Sequence, residues 1–106
     1  MIAKIIIRRR FQDGNTRKIF QLLNQIRLQI LNQPGYMSGE TLIQSEHPNR
    51  LVVISTWQTL NDWHNWKECE TRQTIEAELE KYQEGPAEYE EFLVGTPLQK
   101  EITFPI

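Results

Sequence analysis

Cysteine is nearly absent from this sequence. Cys69 stands alone among 106 residues, so no disulfide can form within the chain, and a reducing compartment is the expected setting. Histidine is almost as scarce. His47 and His64 are the only two, and with Cys69 they make no metal-ligand spacing, so no metal is expected. No apolar run approaches the ~20 residues that a membrane helix needs. Positive charge is not in excess either. Twelve Lys and Arg face 14 Asp and Glu, for a net charge of -2, which gives no general attraction to phosphates. A secretory leader would place its charges first and a longer apolar run after them. Here Ile5-Ile6-Ile7 comes before Arg8-Arg9-Arg10. The expected location is therefore the cytoplasm, with no membrane partner.

What is present is ordinary for a globular domain: 39% hydrophobic and 25% charged residues. A chain this size buries roughly 60–70% of the surface that it exposes when unfolded. That supports one core, but not a core plus a deep enclosed site, and association with a second copy would help on both counts.

Glycine and proline are few, so each marks a boundary. Ile2 to Arg10 is short and β-branched and reads as a strand. Asp13-Gly14-Asn15 breaks it. Ile19, Leu22, Leu23, Ile26 and Ile30 then form one helical stripe, stopped by Pro34-Gly35. Tyr36 to Glu46 reads as a strand of mixed faces, and His47 to Arg50 as a tight connection. Leu51 to Trp57 is the clearest strand, apolar on both faces at its start, so a cover on both faces is expected. Thr59 with Asp62 three residues on is a capping pattern. Leu60, Trp63 and Trp66 give that helix its apolar side. Ile75, Leu79 and Tyr82 mark a further helical stretch that Gly85-Pro86 ends. Ala87 to Gly95 is the last strand. Residues 96–106 read as a C-terminal tail, an arm on a partner subunit or a disordered end. The order strand, helix, strand, strand, helix pair, strand is that of a ferredoxin-like α+β domain over residues 1–95. Such a sheet carries helices on one face, and a second subunit is the simplest cover for the other.

Several short motifs fall in a telling order: Pro34-Gly35-Tyr36, then Ser38-Gly39-Glu40-Thr41-Leu42, then Ile54-Ser55-Thr56-Trp57, then Trp63, Trp66 and Arg72. In this order and spacing the sequence resembles the antibiotic biosynthesis monooxygenase (ABM) domain family over most of residues 2 to 95. The resemblance implies a homodimer whose two sheets pack into an α+β barrel, with a pocket in each subunit between helices and sheet. It also implies an oxidoreductase without a cofactor, a monooxygenase of a small aromatic or quinol-like substrate, although fold membership alone does not fix a reaction. A haem-degrading branch uses an asparagine on the first strand, a tryptophan on the second helix and a histidine on the next. Those positions fall here near Ile7, at Trp66 and at or near Glu76. Two of the three differ, and a carboxylate is a poor replacement for an imidazole on haem iron. The expectation is against haem degradation, and a haem-binding role of another kind is kept only as an alternative.

Trp57, Trp63 and Trp66 can wall a site for a planar ligand, because an indole is flat and carries one donor. The plainer reading makes all three core or interface anchors. Trp66 is singled out, since the resemblance places a ligand-contacting tryptophan there. Arg72 can hold a ligand oxygen or simply pair with Glu68 or Glu76, each four residues away. Tyr36 can line the mouth of a pocket or pack a turn. For a proton acceptor the candidates are His64 and Glu76, with a surface position the plainer reading of His64. Cys69 has no basic partner in sight and is read as inert. Strand alternation sends Arg8, Arg9 and Arg10 to both faces, to pair with glutamates of the second half. An RNA-recognition domain shares this element order but needs a basic, glycine- and aromatic-rich strand. Leu51 to Trp57 has neither a basic residue nor a glycine, so no nucleic acid is expected. Against the monooxygenase stands a non-catalytic dimer that binds an aromatic ligand. An open cavity lined by Trp66 and an ionisable group favours the enzyme. A cavity filled by tryptophans favours the binder.

Overall fold

The computed structural model describes residues 1–95. The proposed arm of residues 96–106 lies outside them. The elements are β1 (Ile2–Arg10), α1 (Thr16–Ile30), β2 (Tyr36–Ile43), β3 (Arg50–Trp57), α2 (Leu60–Lys67), α3 (Glu70–Glu80) and β4 (Glu88–Val94). The four strands form one antiparallel sheet in the order β2-β3-β1-β4, the expected α+β arrangement. Within this chain the sheet is open, with β2 and β4 at its edges. No helix among the described residues is long and apolar enough to cross a membrane.

Local chemistry accounts for the boundaries. Gly14 and Asn15 both take positive φ, 84° and 58°, and turn the chain from β1 into α1. The Thr59 side chain accepts the Asp62 backbone N–H at 3.1 Å and donates to the Asp62 carboxylate at 2.8 Å, so the capping pattern forms as read. Gly35, at φ 81°, ends the α1 turn where a Cβ would fall 2.2 Å from the Asp62 carboxylate. No other residue fits there.

Two expectations about length need correction. β2 stops at Ile43 rather than Glu46, because its ladder ends opposite Leu51 and a single Gln44 N–H bond to the Arg50 carbonyl follows. The last helix stops at Glu80, so Tyr82 is not on it. Residues 82–84 are drawn instead onto the extension of β1: Gln12 N–H donates to the Tyr82 carbonyl, Glu84 N–H to the Arg10 carbonyl, and Phe11 bridges to Gln83.

Alternation along β1 places Ala3, Ile5, Ile7 and Arg9 under the helices and Lys4, Ile6, Arg8 and Arg10 on the other face. Two apolar clusters fill the helix side. One joins Ala3, Ile5 and Ile7 to the three tryptophans. The other joins Phe11, Ile19, Leu22, Leu51, Ile75 and Leu79. Arg9 stands on the strand between them.

Candidate functional site

A cavity of about 360 Å³ opens between α1, the sheet and α2, near the border of the two clusters. Ile7 and Val53 form its floor, and Leu23, Ile26 and Ile30 of α1 one wall. Tyr36, Gly39, Glu40 and Thr41 come from edge strand β2. Trp63 and Trp66 of α2 and the guanidiniums of Arg9 and Arg72 complete it, with Arg27 at the exposed side. The tryptophans do not fill it.

The three indoles have different jobs. Trp57 is fully buried, donates its N–H to Ser55 Oγ at 3.0 Å, and is not part of the cavity wall. Its ring meets Tyr36 edge-on at 5.3 Å and Trp63 at 5.9 Å. It holds the wall in place from behind. Trp63 lines the cavity, but its N–H is taken by the Glu91 carboxylate at 2.7 Å. Trp66 lines the cavity and, of the three, is the one whose N–H donates to no described residue. Its indole edge is thus the donor left for a ligand.

Arg72 and Glu76 sit on α3, one turn apart and both buried. Arg72 Nη2 lies 3.1 Å from Glu76 Oε1 and donates to the Tyr89 hydroxyl at 2.9 Å, while Nη1 donates to the Lys67 carbonyl at 3.1 Å. Its guanidinium also lies over Trp63 and Tyr89, 5.3 and 5.5 Å from their centroids. From β1, Arg9 grips Glu76 with both terminal nitrogens, at 2.7 and 2.5 Å, and Gln83 at 3.2 Å. The result is a buried Arg–Glu–Arg triad. Burial pushes the Glu76 carboxyl upward, but the hydrogen bonds and charge of Arg9, helped by Arg72, outweigh it and hold the group below its ordinary value. Glu76 therefore stays a carboxylate, turned to the arginines and not among the cavity-lining residues.

His64 is half-exposed and pairs with Glu91 at 2.7 Å, away from the cavity wall. Neither candidate proton acceptor reaches the cavity. Tyr36 does, and burial raises its phenol above the usual range against the nearby Arg27 charge, so it stays protonated at neutral pH. Its hydroxyl lies over Gly39, where a Cβ would come within 2.6 Å of it. His47 sits in the β2–β3 connection, and Cys69 is a free, half-buried thiol just ahead of α3. Arg9 is the cavity residue that the arginine run concealed. Its signal was the alternation itself, which sets one cation in line with Ala3, Ile5 and Ile7. Among the described residues no group of three or more His, Cys, Asp or Glu is placed to hold a metal ion.

A family model described as antibiotic biosynthesis monooxygenase matches residues 2–78. No curated protein matches. Among solved structures, the fold is similar to SnoaB, a cofactor-independent oxygenase from Streptomyces nogalater, at 14% identity and a TM-score of 0.78, over 93% of this chain and 98% of that one. It is similar to a conserved protein from Methanosarcina mazei Go1 at 11% identity and a TM-score of 0.81, over 87% and 91%. It is also similar to Rv0793 from Mycobacterium tuberculosis at 10% identity and a TM-score of 0.80, over 93% and 100%. At these identities the structural likeness establishes the fold. The family-model match spans well over half of the sequence, and the chain belongs to the antibiotic biosynthesis monooxygenase family.

Proposed function

We propose that this protein is a homodimeric monooxygenase that oxidises a small aromatic or quinol-like substrate in the Trp63–Trp66 cavity. The observation that carries the reading is a cavity left open beside Trp66, with buried ionisable groups in its wall. A filled pocket would have served packing alone. The reaction balances without an outside reductant. The substrate gives up two hydrogens, one atom of O₂ stays on it as a carbonyl oxygen, and the other leaves as water. The chain's part is to exclude water, stack the ring and place fixed charge beside the oxygen that becomes anionic.

The dimer is supported by the outer sheet face. Ile6, Val52 and Ile54 sit at its centre half-buried, and Leu42, Phe92 and Val94 around them are exposed. No described element covers them.

A second reading, a non-catalytic dimer that binds an aromatic ligand, is favoured by one observation: neither His64 nor Glu76 lines the cavity. Oxygen uptake during a screen of quinols and anthrones separates the two. Catalysed uptake of one O₂ per substrate supports the enzyme. Saturable binding of the same compounds with no uptake above the uncatalysed rate overturns it in favour of the binder.

A further inference from the structure

One end of the cavity holds more positive charge than its partners among the described residues neutralise. Arg9 and Arg72 both line it, and each is 3% exposed. Between them they share one carboxylate, Glu76. Their other partners are neutral: Gln83 for Arg9, and the Lys67 carbonyl and Tyr89 hydroxyl for Arg72. Arg9 Nε is buried with no partner among the described residues. The other charges nearby do not supply the missing anion. Glu91 is taken by Trp63 and His64. Arg27, exposed at the rim, donates to the Thr41 hydroxyl, and Glu40 pairs opposite Ile54 on the open face of the sheet, so Glu40 supplies no anion at this end.

Burying a charge without a counter-charge is costly. Counted over the described residues, two buried guanidiniums on one carboxylate are one negative charge short, beside a cavity whose remaining wall is largely aliphatic and aromatic. We propose that the natural ligand is a planar aromatic carboxylate, its carboxylate seated against Arg9 and Arg72 and its ring laid along Trp63 and Trp66. This deepens the reading of the cavity as the substrate site and rests on it. The class follows from the layout: charge at one end, stacking surface along the side. A guanidinium presents N–H donors in a rigid plane that matches a carboxylate, and an indole face takes the ring.

The test is calorimetric titration of the full chain at pH 7 with 2-naphthoate and with its neutral isostere 2-naphthamide. The acid is expected to bind at least tenfold more tightly. In Glu76→Gln the shared anion is gone, so the acid should tighten severalfold while the amide stays unchanged. A triad with a purely structural role would weaken both. In Arg72→Gln the acid's advantage should shrink to under threefold. Should that variant not fold, the Glu76→Gln comparison still decides. Equal affinities for acid and amide, or a weaker acid in Glu76→Gln, overturn the anionic ligand and leave an aromatic cavity standing. Binding of neither compound overturns both that ligand and the cavity reading.

Discussion

The two faces of the sheet depart from the usual arrangement in opposite ways. The layer between sheet and helices, mostly apolar, also buries Arg9 of β1 against Arg72 and Glu76 of α3. The open face, where polar residues belong, carries Ile6, Val52, Ile54, Phe92 and Val94. Its charges are present but local, as in the Arg8–Glu90 pair, which is half-exposed and stabilises little. Each departure has its own meaning. Buried charge on the covered face is expensive and needs a recipient, and the cavity is where one can enter. Apolar surface on the open face is unfavourable in water and needs a cover. In the proposed reading, one sheet divides chemistry from assembly between its sides.

That division can be broken from either side. Ile54→Asp sets a charge at the middle of the open face, opposite Ile6 in the ladder. In the proposed homodimer it should abolish association. Sedimentation at micromolar concentration should show the wild type at twice the 12.6 kDa chain mass and the variant at that mass. A wild-type monomer would refute the assembly half.

Arg9→Leu acts on the covered face. Glu76 keeps Arg72 but loses its bidentate partner, and stability should fall by about 3 kcal/mol in denaturant melts. The triad also has a pH signature. Glu76 titrates below its ordinary 4.5 when folded. Its stabilising contribution is therefore complete above that value and is lost as pH falls through the depressed one. Glu76→Gln should flatten the loss of stability in acid. An unchanged acid slope would mean that the triad contributes nothing.

Trp66→Phe probes the cavity wall more gently. Stability should fall by roughly 1 kcal/mol, as for a swap that leaves a small void, and affinity for a planar aromatic should fall by more. A sharp loss of stability with unchanged affinity would make Trp66 a core residue only. The smallest effect is expected for Glu91→Gln, under about 1 kcal/mol, since the amide oxygen can still accept from Trp63 and the His64 contact is half-exposed. A larger loss would show that the Trp63 anchor governs the wall.

Much of the fold was legible because it is written in local patterns. Period-two alternation marked β1, helical spacing marked α1, and Thr59 with Asp62 marked the start of α2. The failures came where distant backbone took over. Tyr82 keeps helical spacing with Ile75 and Leu79, yet residues 82–84 are captured by β1, some 70 positions earlier. Of the residues that line the candidate cavity, Trp66, Trp63, Arg72 and Tyr36 stand out in the sequence by residue type and motif order. Trp57 looked equivalent to them, and only the ladder shows it facing the core beside Ala3. Glu76 was read as a possible base because its partner Arg9 lies 67 residues away, out of reach of any helix-spacing argument.

The cavity's position beneath β2 also bears on how a ligand gets in. β2 is an edge strand, hydrogen-bonded to β3 alone, and its register slips between Tyr36 and Ser38. Its backbone amides therefore open to solvent at lower free energy than those of central β1, which is paired on both sides. Gly39, Glu40 and Thr41 of the cavity wall belong to this edge strand. Amide deuterium uptake should be faster there than in β1, and an occupied cavity should slow it in β2 far more than in β1. One wall of the candidate cavity and one edge strand of the sheet are thus the same piece of chain.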